Sequence, residues 1–438
     1  MANSRLRYFG SRTLTAIGTI AALAITSLGA GATAQDKPTL TIVGAEHLHN
    51  NLTGKVVNGV NLLTKFEEEF GAQVKFVLSP APELRDVVNR LGTLPQTEED
   101  LIYTLDMEQN ERYASFLSPL DDFMAEKPIA GFPEAWPSGF IEANTINDKL
   151  YVFPVRCGTF GLWFNKEIMA ERGVSGAPTT PEELLEAARK MTFTRDNGQK
   201  VYGFAPRGTK YDTDNFAIIA RMFGGELIGP DLSIQVNSAE TVKAIKFLQS
   251  MYQEGLIPPN WPSMDGNAVD QFFKDGLAAM IPAGTGYRPR YSDGKSAVSG
   301  KAELGYLPLV AELQTADRTF SDSITFVWNI GILQGSTDKE LAYDFVRYLA
   351  RPDVQLDMAT NENGVCSFTT LEELGKSNAD WNTASAIMKQ SRQPIPGFNN
   401  TNQARDLIGG AIQEIVVNNL DARAALDDLA RRLERLTR

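Results

Sequence analysis

Short β-branched runs alternate with stretches whose apolar residues recur at helical spacing, and this alternation confines the chain to an α/β architecture with parallel strands. Residues 38–43 are β-rich and end at Gly44. Leu62, Leu63, Phe66 and Phe70 then mark one face of a helix that Gly71 stops, and residues 74–78 read as the next strand. Strand, helix, strand in that order implies a parallel βαβ unit. Residues 100–106 form a third strand. Ligands of such sheets bind beyond the carboxyl ends of strands, so the loops after Val43 and after Leu105 become candidate site loops. Residues 149–155 are a further strand broken by Pro154, which a central ladder does not tolerate, so this point is a sheet edge or a crossing.

Capping signals place the later helices. Thr180 with Glu183 forms a capping box with Pro181 at the first helical position, and Thr337 with Glu340 repeats the box. Helices are predicted from about residue 238 to 254, stopped by Gly255, and from about Asp421 onward. No low-complexity tract, internal repeat or Gly/Ser-rich linker interrupts the pattern.

The N-terminus reads as an export address. Arg5, Arg7 and Arg12 precede an uncharged, mostly apolar run from 14 to 28, and Ala32-Thr33-Ala34 offers a small-x-small cleavage site. Cleavage is expected after Ala34, with delivery to the periplasm. The run is shorter than a spanning helix and diluted by Thr15, Gly18 and Thr19, and no cysteine stands at the cleavage point for a lipid anchor. About 400 residues remain, too many for one core, which predicts two domains. The net charge of −12 becomes more negative once the arginine-bearing leader is removed, which argues against nucleic acid or anionic membranes as partners. Cys157 and Cys366, the only cysteines, are either a disulfide or two buried thiols on this reading.

A search for catalytic chemistry finds no concentrated signature. The two histidines, His47 and His49, share one loop without a third ligand to complete a metal site, and hydrogen-bonding loop residues are the simpler reading. No Gly-x-Ser-x-Gly elbow occurs, residues 293–296 lack the upstream glycine of a phosphate loop, and Gly284-Thr285-Gly286 is too short for a dinucleotide fingerprint. No metal and no cofactor are expected. A glycosidase-like carboxylate pair is defined by spatial separation, so a secreted carbohydrate hydrolase stays open as the alternative from another class.

The residues from 147 to 166 are more specific. Asn-Asp-Lys-Leu-Tyr-Val-Phe-Pro at 147–154, followed by Gly-Leu-Trp-Phe-Asn-Lys at 161–166, resembles the family 1 extracellular solute-binding proteins of ABC transporters, the maltose-binding-like group. Further landmarks fall in the family's order: residues 118–123, residues 178–184 with Pro181 where tryptophan is common, residues 223–225, 272–280 and 342–349. The resemblance spans nearly the whole chain after the leader. It implies a type II periplasmic-binding-protein fold: two α/β lobes, crossing hinge strands and an interlobe cleft. The expected lobes are residues 35–155 with 306–364, and 156–305 with 365–438, with crossings near 153–157, 305–309 and 364–369. Both cysteines then lie at crossings, and the resemblance tips them toward a Cys157–Cys366 bond. It also implies a monomer that carries a small molecule to ABC permease subunits.

Sugar sites combine aromatic faces for the C–H side of the ring with carboxylates and amides that accept hydroxyl protons. By position in the family pattern, the ligand-binding candidates are Glu46, His47, Asp106, Glu108, Arg156, Asp212, Asp214, Tyr287, Trp328 and Asn399. Trp328 is equally readable as core or cleft, Trp163 as core, Trp261 as a loop anchor, and Asp212 and Asp214 as helix caps. Arg156 either balances a carboxylate or marks an anionic ligand. The expected function is periplasmic capture of a mono- or oligosaccharide, or a sugar derivative. The alternative within transport is a non-sugar or anionic solute such as a phosphorylated polyol.

Overall fold

The computed structural model describes residues 37–80, 83–105, 114–362 and 364–437. The leader and its cleavage site lie outside the described residues. Eight strands carry the architecture: β1 (Thr39–Gly44), β2 (Gln73–Leu78), β3 (Leu101–Leu105), β4 (Val152–Asn165), β5 (Lys200–Phe204), β6 (Ala278–Gly284), β7 (Ala302–Gly305) and β8 (Ser323–Ile332). β1 pairs in parallel with β2 and β3, as a βαβ unit requires. The helix between β1 and β2, Leu62–Phe70, begins where Asn61 accepts the Leu63 and Thr64 N–H groups and ends at Gly71 in the left-handed region (φ 64°).

β4 and β8 join the two lobes. The first half of β4, from Val152 to Thr159, pairs antiparallel with β8, which also borders β3. The second half, from Phe160 onward, pairs with β6 and β7, and β6 pairs in parallel with β5. The first half of β4 packs in one core through Val152, Phe153, Val155 and Cys157, and the second half alternates between two: Trp163 joins the first cluster, while Phe160, Leu162 and Phe164 join the other. The period of two permits this because both faces of β4 are covered. Each large apolar side chain so buried contributes roughly 1.5–3 kcal/mol.

Pro154 sits where β4 is bordered by β8 alone, and there the ladder slips: Trp328 faces Arg156, whereas Asn329 faces Pro154. The extra residue, Val155, forms an irregularity that absorbs the missing proline donor. The crossing expected near 305–309 is placed differently. Leu309 N–H donates to the Thr179 carbonyl at 3.0 Å and Val310 N–H to the Met222 carbonyl at 2.9 Å, while Leu307 packs in the second core. That segment stays with its neighbours on the β4–β6 side, and β8 makes the return. Near 364–367 the chain passes close to β4 again, and a disulfide joins Cys157 to Cys366 with Cα atoms 4.8 Å apart.

Capping follows the sequence with one correction. Thr180 accepts the Glu183 N–H at the start of Pro181–Met191, and Glu183 reaches back to the N–H and hydroxyl of Thr179. The helix Lys339–Ala350 is capped by Asp338, which accepts the Leu341 N–H at 3.2 Å, rather than by Thr337. Both residues are competent caps; the backbone places the Asp338 carboxylate three residues from the first orphan donor. No helix among the described residues is long and apolar enough to cross a membrane.

Candidate functional site

Just past the carboxyl end of β1, the helix Glu46–Leu52 turns toward the crossing region. Asn51 fixes it there, donating from its side-chain amide to the carbonyls of Asn361 and Glu362 at 3.0 and 3.2 Å. His47, in the helix's first turn, meets Trp328 of β8 edge-on, with ring centroids 4.7 Å apart. Tyr103 of β3 also meets Trp328 edge-on, at 6.5 Å between ring centroids. Trp328 is 7% exposed and belongs to the buried core while still contacting His47.

Arg156 is directly opposite Trp328 in the β4–β8 register. Its guanidinium lies 6.0 Å from the centroid of the Phe326 ring. Two glycines make room for this arrangement. A Cβ on Gly158, which pairs with Phe326, would overlap that ring. Gly364, at φ +58°, lies against the Cys157 carbonyl, and a Cβ there would come within 3.3 Å of Cγ of Arg156.

Tyr287 follows β6 in a single 3₁₀ turn, and Gly284 lets its ring fold back over the strand end. The Arg290 guanidinium lies 4.2 Å from the Tyr287 ring centroid. Arg290 is itself held by Glu362 at 2.8 Å and Asp270 at 2.9 Å, and the Tyr291 hydroxyl donates to the other Asp270 oxygen at 2.7 Å. The segment after β6 is thereby tied to residue 362, beside the third crossing.

The electrostatics set protonation states. Burial lowers the His47 pKa to about 4, and the positive charge of Arg156 adds to the effect, so the imidazole is neutral at neutral pH. Burial also lowers the Arg156 pKa; the Arg290 charge disfavours a second cation while Glu362 favours it. No hydrogen bond or ion pair joins Arg156 to any described residue, and its buried Nε has no partner.

The remaining candidates are placed as follows. Asp212 caps no N–H group but accepts the Thr209 hydroxyl and lies 3.6 Å from Arg207; burial raises its pKa against both. Arg207 covers the Phe160 ring at 4.6 Å, and Phe160 meets Phe326 at 5.8 Å, which links Asp212 to the Arg156 group through aromatic contacts. Asp214 is partly buried and lies 3.6 Å from Arg405. Glu46 is exposed beside His47, and exposed Asn399 makes no contact with the cluster. Asp106 and Glu108 lie outside the described residues. Trp163 and Trp261 are fully buried, with indole N–H groups satisfied by the carbonyls of Gly284 and Arg207.

Sequence reasoning missed Tyr103, Phe326 and the Arg290–Glu362 pair. Phe326 was detectable, because it stands two residues before Trp328 and therefore on the same strand face. The ion pair joins residues far apart in the chain and left no local signal. Among the described residues, no group of three or more His, Cys, Asp or Glu is placed to hold a metal ion.

Comparison with known proteins adds three findings. Residues 58–356 match the family model described as bacterial extracellular solute-binding protein. The galactooligosaccharide-binding protein of Bacillus subtilis (strain 168) is 23% identical over 390 residues, covering 85% of each chain. Among solved structures, maltose-bound MalE3 of T. maritima superposes with a TM-score of 0.77 at 18% identity, covering 91% of this chain and 99% of that one. The ribitol complex of an ABC transporter solute-binding protein from Agrobacterium radiobacter K84 gives 0.76 at 19% identity, covering 92% and 99%. At these identities the structural likeness shows a shared two-lobed fold.

Proposed function

Because the chain belongs to the bacterial extracellular solute-binding protein family, we propose that it captures a sugar or sugar derivative between its lobes and hands it to the permease of an ABC importer. The observation that carries this reading is the group at the crossing strands. The rings of His47 and Tyr103 meet Trp328 edge-on, Phe326 lies 6.0 Å from the Arg156 guanidinium, and that guanidinium has no hydrogen-bond or ion-pair partner among the described residues. Aromatic faces cover the apolar side of a pyranose or polyol, and a guanidinium and a neutral imidazole supply directional hydrogen bonds. The relative named for galactooligosaccharide binding, and neighbours solved with maltose and ribitol, support that ligand class. In this reading Glu46, Asp106, Glu108 and Asp212 accept hydroxyl protons of the ligand. The lobe boundary falls on β8 rather than near residue 305. The leader directs export to the periplasm, where the protein acts as a monomer without turning its ligand over.

A thermal-melt panel of monosaccharides, oligosaccharides and polyols tests this reading. Stabilisation follows RT ln(1 + [L]/Kd), about 2.7 kcal/mol at a hundredfold excess over Kd, so ligands rank themselves by shift. A saturable shift with the compound recovered intact supports capture. Release of a smaller sugar from an oligosaccharide would establish a hydrolase instead.

A further inference from the structure

Building on the solute-binding reading above, we infer that the ligand of this cleft carries a carboxylate: a sugar acid whose charged end is gripped by Arg156.

The argument begins with how other inward-lying arginines are matched. Arg221, 1% exposed, pairs with Glu226; Arg290 pairs with Glu362 and Asp270; Arg207 lies beside Asp212; Arg288 meets Asp380. Arg156 alone in this set has no carboxylate partner among the described residues, and its Nε is buried without an acceptor. Arg156 is only partly exposed, and burying its Nε without an acceptor is costly, because that desolvation is not offset. The structure holds it nonetheless, threading its stem past Gly364 and setting its head near Phe326.

Three features select the missing group. A guanidinium presents a planar fork of N–H donors, which two carboxylate oxygens match better than scattered hydroxyls. Neutral hydroxyls would satisfy the donors yet leave the charge uncompensated. Among the described residues compensation is partial: Arg290 adds like charge, and Glu362 favours the Arg156 cation but commits its Oε2 to Arg290. A phosphate dianion would overshoot, bringing a second negative charge that neutral His47 does not balance. Among the described residues, one monoanionic carboxylate complements the local charge and donors, while the neighbouring rings take the carbon skeleton.

The test is calorimetric titration of the purified chain, freed of bound ligand, with matched compounds. Galacturonate and glucuronate are compared with galactose and glucose, gluconate with sorbitol, and glucose 6-phosphate serves as the phosphate arm. At least one acid is expected to bind about tenfold or more tighter than its neutral counterpart, equivalent to ~1.4 kcal/mol. In Arg156→Gln that preference should shrink to within about threefold, while Arg156→Lys, which keeps the charge but loses the fork, retains a reduced preference. Circular-dichroism melts verify folding; if Arg156→Gln does not fold, the wild-type ranking and Arg156→Lys decide. Equal or tighter binding of neutral compounds overturns the inference but leaves sugar capture standing. Preference for the phosphate, or an acid preference unchanged in Arg156→Gln, also overturns it. Absence of binding by every compound overturns the sugar reading and this inference together.

Discussion

Removing the bond between Cys157 and Cys366 should cost stability through the unfolded chain more than through the native fold. The half-cystines are separated by 209 residues and are 2% and 0% exposed. Chain-entropy reasoning for a loop of that length gives about 5 kcal/mol at 25 °C, an upper figure because measured disulfides more often contribute ~2–4 kcal/mol. Unfolding entropy of about 2.1 cal/mol/K per residue over about 400 residues converts 5 kcal/mol into a melting shift of about 6 °C. The perturbation is the double substitution Cys157→Ala with Cys366→Ala, alongside reduction of the native protein. Urea unfolding followed by intrinsic tryptophan fluorescence reads both. The expected result is a lower midpoint with an equal or larger denaturant slope, since the uncrosslinked chain exposes more surface when unfolded. A midpoint change worth less than about 1 kcal/mol, with free thiols confirmed, would refute the argument that this long closure stabilises the fold.

Three further outcomes follow from the same geometry. Gly158→Ala drives a methyl into the Phe326 ring, so a loss of about 1–3 kcal/mol in urea unfolding is expected, together with weaker ligand binding by calorimetry. For His47 the folded pKa, about 4, lies below the ordinary 6.5, so the unfolded chain holds more protons between those values. Stability from this residue is therefore complete above pH 6.5 and is lost as pH falls toward 4. Because the residue retains exposed surface, the effect is screened, and His47→Gln should flatten the melting-temperature profile modestly in that window. Arg221→Met leaves Glu226 with the Arg392 contact at 3.4 Å and removes donors to the carbonyls of Ser323, Arg392 and Gln393; a loss of about 3 kcal/mol is expected, with an unaltered melting temperature as the contrary result.

Much of the fold was legible because its signals are local. The periodicity of Leu62, Leu63, Phe66 and Phe70, the stop at Gly71 and the box at Thr180 and Glu183 each act within a turn or two of chain. The cap at Asp338 shows the limit, since two adjacent competent side chains are separated only by backbone direction. The second crossing depends on a different kind of signal. A short strand at 302–305 and a long one at 323–332 both read as extended, and only their partners reveal which reaches β3.

The candidate site divides along the same line. Tyr287 and Trp328 were identifiable as aromatic residues at loop or strand positions, and Arg156 as a charge after a crossing. Their meeting depended on the slip in register beside Pro154 and on the glycines at 158 and 364. The sequence alone determined the α/β class, the helix ends and the acidic charge, because propensity, capping and composition are properties of neighbouring residues. Tertiary structure decided which strand returns, which arginine lacks a carboxylate and which rings surround it. Those are contacts between segments far apart in the chain, 311 residues in the case of Asn51 with Glu362, and they exist only once the long-range pairings have formed.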